Sequence, residues 1–193
     1  MKRKFKLITA VASLSLAIIF LGMGIYAAAT DRQIGVTGTI TITAERVAAT
    51  VIVQQRYGTT GNYNAIGSPI QYEVTGDANQ ARGEKKLGDN GAIALSETVV
   101  VYSFQIVITN DFDAAVKIGV NPKTVSVGTT NSYLTISQDV KLGQSTAALT
   151  NGMYEVPKAQ VLTMTFTYTV NPANLPSPIP QQQISVELEL NRL

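Results

Sequence analysis

Cysteine, histidine and tryptophan are all missing from this 193-residue chain. Without cysteine there is no disulfide, no thiolate metal site and no thiol nucleophile. Without histidine the commonest general base and the commonest metal ligand are gone as well. The lack of tryptophan weakens sugar binding by ring stacking. Charge is sparse too: only 15% of residues are Asp, Glu, Lys or Arg, while Thr, Gly, Val, Ile and Ala are plentiful. Such a composition suits a β-rich surface protein better than a cytosolic enzyme.

These absences remove most catalytic classes. A serine nucleophile would need a base beside it, and only lysine is left for that role. No S-x-x-K motif occurs. The H-E-x-x-H zinc motif cannot exist without histidine. The expectation is a protein that is not an enzyme and needs no cofactor.

The formal charge of +2 hides a division. Lys2, Arg3, Lys4 and Lys6 hold four of the 15 basic residues, and the first 29 positions contain no acid. The remaining 164 residues carry 11 basic against 13 acidic groups. That balance is contrary to a nucleic-acid binder, which shows a basic face. The basic cluster is instead the start of an export signal, followed by an almost unbroken apolar run from Leu7 to Ala29. Ala27 and Ala29 fit the two small-residue positions of an A-x-A site, which places cleavage before Thr30. An uncleaved anchor is the competing expectation, because about 20 apolar residues can span a bilayer. In either case membrane contact is through the leader alone.

Beyond the leader the pattern has a period of two. Ile34, Val36, Ile40 and Ile42 fall on one parity, and Thr37, Thr39, Thr41 and Thr43 on the other, as a strand with one buried face requires. Ala48–Val53 is a second apolar run. Gly58–Ser68 reads as a loop, Pro69–Val74 as a short edge strand, and Gly76–Gly91 as the longest exposed loop. Thr98–Thr109 is the most apolar stretch after the leader and predicts a central strand. Ala115–Val120, Thr124–Val127 and Tyr133–Ile136 follow as strands, and Asp139–Met153 is ambiguous. Gln160–Asn171 and Ile184–Leu190 alternate again, separated by a Pro-rich connection that suits a sandwich better than a tight hairpin. The fold class is all-β: an antiparallel β-sandwich, jelly-roll or Ig-like, of seven to nine strands over residues 30–193, preceded by a signal helix over 1–29.

Three clusters are candidates for binding. Asn110, Asp111 and Asp113, and separately Asp89–Asn90–Gly91, offer oxygen atoms that calcium would take. Neither matches the D-x-[DN]-x-[DN]-G loop, and a turn braced by its own side chains fits better. Tyr57, Tyr63 and Tyr72 flank Gly-rich loop and could anchor a recognition surface or cap the sheets. Arg82, Lys85 and Lys86 read as a solvated basic loop. The uncharged strand Ile34–Thr43 either pairs within its own domain or leaves it to complete a neighbour's sheet.

Four stretches resemble the TasA/camelysin-like family of secreted matrix-fibre proteins. They are GMGIYAAATD (Gly22–Asp31) at the leader's exit, VTGTITIT (Val36–Thr43), FQIVITNDFDAAVKI (Phe104–Ile118) and TMTFTYTV…ISVELEL (Thr163–Leu190). The resemblance implies secretion, a jelly-roll-like sandwich and self-association into extracellular fibres of a pilus or biofilm matrix, with other matrix or surface proteins as further partners. It also implies that Thr30–Thr43, freed by cleavage, is a donor strand whose Ile34, Val36, Ile40 and Ile42 fill the next subunit's sheet. A monomeric cell-surface adhesin or carbohydrate-binding module is the alternative expectation.

Overall fold

Alternation alone decides the first strand. Ile34–Glu45 (β1) turns Ile34, Val36, Ile40 and Ile42 fully inward and keeps its threonines half-exposed or exposed. The strands after it are β2 (Ala49–Tyr57), β3 (Asn64–Ala65), β4 (Ile70–Tyr72), β5 (Gln80–Leu87), β6 (Ile93–Leu95) and β7 (Val101–Asn110). Next come β8 (Ile118–Ser126), β9 (Leu134–Leu142), β10 (Ser145–Thr146), β11 (Leu149–Thr150), β12 (Met153–Val156), β13 (Val161–Val170) and β14 (Gln182–Arg192). The computed structural model describes residues 34–74, 80–87, 93–95, 100–176 and 181–193. The expected leader, with its cleavage residues Ala27, Ala29 and Thr30, lies outside the described residues, as does Asp89–Asn90–Gly91.

The described residues form an all-β unit with two sheets. One runs β11-β12-β8-β14-β1-β5, with β6 also on β1. The other runs β10-β9-β13-β7-β2-β3, with β4 also on β2. Their apolar faces meet in one buried cluster that joins Ile40, Val186 and Leu188 of the first sheet to Phe104, Ile106 and Phe166 of the second. Phe104 and Phe166 stack at 4.7 Å between ring centroids, a geometry that adds about 1 kcal/mol to their burial.

The described residues hold 14 strands, more than the expected seven to nine: eight have eight residues or more, and the six shorter ones carry too few positions for a period to be seen. β13 and β14 lie in different sheets. The connection between them begins with a 3₁₀ turn, Pro172–Asn174, capped by the Asn171 side chain, as the prolines require.

Three further expectations need correction. The sheets are not wholly antiparallel, because β1 pairs with β14 in parallel from Val36↔Gln182 to Glu45↔Asn191. Neither strand is joined to the other by a turn, so no hairpin forces them into opposite directions. The expected loop Gly76–Gly91 contains β5, antiparallel to β1 from Gly38↔Leu87 to Glu45↔Gln80. Its inward parity holds Gly83 and Lys85, which conceal the apolar alternation. Finally, Thr124 belongs to the same strand as Ile118, and a register shift opposite Glu187/Leu188 passes over Lys123, beside Pro122.

Candidate functional site

The seat of β1 is the most completely built feature of the fold. β14 forms one wall along ten paired positions, and β5 and β6 form the other. Ile34, Val36, Ile40 and Ile42 are each 0% exposed. Burying four such side chains stabilises the fold by about 6–12 kcal/mol, which is as large as the whole net stability of an ordinary domain. An empty seat would therefore unfold the first sheet.

Gly38 occupies an inward-parity position between Val36 and Ile40. A Cβ there would lie 2.5 Å from the Ile184 Cβ and 2.6 Å from the Ile184 carbonyl oxygen. The β1–β14 approach thus depends on a residue with no side chain. On the outer face, Thr39, Thr41 and Thr43 stand opposite Lys86, Glu84 and Arg82 of β5. The Lys85 ammonium donates to the Ser68 carbonyl; an inward-pointing charge of this kind protects the β5 edge from further pairing.

Tyr72 fastens the two sheets at this seat. Its hydroxyl donates to the Ile42 carbonyl at 2.9 Å, out of reach of water. Gly83 leaves the necessary space, since a Cβ on it would come within 2.8 Å of the same hydroxyl. Burial disfavours the phenolate and pushes the Tyr72 pKa up to about 12, against an opposing backbone hydrogen bond from Gly83. Burial raises Tyr102 and Tyr168 in the same direction. A pKa raised in the folded state gives stability that is complete below about pH 10, the ordinary tyrosine value, and is lost as pH climbs through 12. In an alkaline titration, these three phenolates are expected to appear only together with loss of the folded signal. Phenolate absorbance that accounts for every tyrosine of the chain, reached with the fold intact, would contradict this burial.

The other candidates separate. Asn110 is buried; its amide donates to the Val116 and Val156 carbonyls at 2.9 and 2.8 Å, and its Oδ1 accepts from the Phe112 N–H at 3.1 Å. Asp111 accepts from the Thr50 hydroxyl at 2.6 Å. The turn is braced by its own side chains. Among the described residues no three acidic groups gather as a metal site.

The tyrosines do not share a surface. Tyr57 is 49% exposed with its ring against Tyr102, Tyr63 lies under the Arg56 guanidinium at 4.5 Å, and Tyr72 points into the core. Arg82 and Lys86 lie on one face of β5 and Lys85 on the other, so they form no joint basic patch.

Sequence reasoning missed β5, the Tyr72 lock and the fit at Gly38. Of these only Gly38 left a signal, a glycine interrupting an otherwise β-branched inward row. No protein-family model matches the chain, and no curated protein does.

Proposed function

We propose that this chain is a secreted β-sandwich that serves as the structural subunit of an extracellular fibre, joined by exchange of β1 between copies. One observation carries the reading. β1 is an interior strand whose buried residues the fold cannot do without, yet it is covalently tied to the second sheet alone, through Arg46–Ala48. Neither neighbour in its sheet adjoins it in sequence. A second copy could supply the same strand to the same seat with every hydrogen bond kept, which is the condition for strand exchange. The uncharged Ile/Thr stretch Ile34–Thr43 of β1 and its place directly after the expected export leader support the same reading, as does the resemblance to the TasA/camelysin-like group. In this reading the acceptor groove is the gap between β14 and the β5–β6 side.

The absence of native cysteine makes the test clean. Thr41 and Glu84 are cross-strand partners, close enough for a disulfide. Thr30–Leu193 carrying Thr41→Cys and Glu84→Cys, assembled and then oxidised, is expected to give a ladder of covalent oligomers on a non-reducing gel. Electron microscopy should show filaments for Thr30–Leu193. If the disulfide forms within single chains only and filaments are absent, the fibre reading fails. The surface-adhesin reading then stands, resting on exposed Tyr57 and the Arg56–Tyr63 pair.

A further inference from the structure

We infer that Arg46 is the hinge that sets whether β1 fills its own seat or another copy's, an inference that rests on the exchange reading above. The corner from β1 to β2 crosses from one sheet to the other in three residues, Arg46, Val47 and Ala48. Arg46 makes the bend in the left-handed region at φ 54, and Val47 is fully buried directly after it. A side chain in that region disfavours the conformation by about tenfold relative to an ordinary one. No glycine relieves it, although the sequence uses glycine at the left-handed positions 58, 61, 67 and 128. The closed chain therefore holds its first strand through a strained corner. Extending the corner to reach a second copy returns Arg46 to the ordinary region, and short strained hinges are what invite exchange.

The length of the corner also fixes the partner's position. From Glu45 to Ala49 an extended backbone spans at most about 14 Å. A β1 seated in a second copy must end within that distance of its own β2. The partner surface is thus a second copy of this chain, applied with the Ala44 end of its seat against the donor's corner, where Thr43, Glu45 and Glu189 line the surface. Successive copies abut and are not strung on a flexible tether.

The test uses Thr30–Leu193 with the Thr41→Cys and Glu84→Cys pair, comparing Arg46 with three replacements. Arg46→Gly and Arg46→Asn accept the left-handed bend and are expected to lower the ratio of intermolecular to intramolecular disulfide by several-fold. Arg46→Val resists that bend and is expected to raise the ratio by about tenfold. Should Arg46→Val fail to fold, Arg46→Asn decides alone: it lowers the ratio or the hinge is overturned. Equal ladders from all forms would remove the hinge and leave strand exchange standing. The absence of a ladder from every form, Arg46→Val included, would remove both.

Discussion

Replacing Gly38 by valine is expected to lower stability by about 3 kcal/mol or more, beyond the usual range for overpacking, and, on the fibre reading proposed above, to abolish filaments. The reason lies in what the new side chain meets. Besides the Ile184 side chain, a Cβ would press on the Ile184 carbonyl oxygen at 2.6 Å and on its Cα at 3.1 Å. Backbone atoms cannot turn away as a side-chain tip can, so β1 and β14 must separate. Their separation breaks the parallel ladder around Gly38↔Ile184 and uncovers Val36 and Ile40. On the exchange reading proposed above, the seat is the same whichever copy fills it, so the defect would act on monomer and fibre together. Thr39→Val, one residue away on the outer face, is the control and should change stability by no more than about 0.5 kcal/mol. A Gly38→Val protein with the parent's urea midpoint would show that β1 does not sit against β14 as described.

Replacing Asn110 by alanine is expected to cost about 3–5 kcal/mol, since each buried group left without its partner costs roughly 1–3 kcal/mol. Asn110 ends β7 in the second sheet, while Val156 ends β12 in the first. Its amide therefore ties one sheet to the other, and through Val116 it also fixes the approach to β8. Alanine leaves two carbonyls and the Phe112 N–H without their partner, and the Val156 carbonyl among them is buried where water cannot replace the amide. Asn110→Asp keeps the acceptor but loses both donors and sets a negative charge among carbonyl oxygens, so it is expected to be at least as damaging at neutral pH. Urea unfolding followed by far-ultraviolet circular dichroism measures both. A midpoint shift equivalent to less than about 1 kcal/mol would mean that the amide is not the link between the sheets.

The contrast between β1 and β5 shows what the sequence makes legible. β1, β13 and β14 are long and alternate strictly, because one face of each is buried and the other is not. Burial acts on every second residue, and the pattern reports it directly. β5 is buried by its neighbours in a different way: Gly83 makes room for the Tyr72 hydroxyl, and Lys85 reaches a carbonyl across the sheet edge. Its residues are chosen by particular contacts with distant segments, so its composition is that of a loop. The direction of β1 against β14 is hidden for the same reason, since alternation states which face is buried and never which way a neighbour runs. Of the candidate site, the inward residues Ile34, Val36, Ile40 and Ile42 are legible from parity. Its walls are not, because they come from segments far away in the chain.

That distance has a consequence for timing. The Thr43 hydroxyl faces the Leu188 carbonyl across 145 positions of sequence, and the β1–β14 ladder closes a loop of the same order. Loops this long close late and slow folding. Synthesis delivers β1 before any other described strand, and one wall of its seat only after all the others. On the exchange reading proposed above, a finished strand, uncharged from Ile34 to Ala44, waits through that interval beside other chains in the same condition, and the first complete seat it meets need not be its own. Late delivery of β14 is thus a clock as much as a contact: it sets how long a newly made chain stays open to its neighbours.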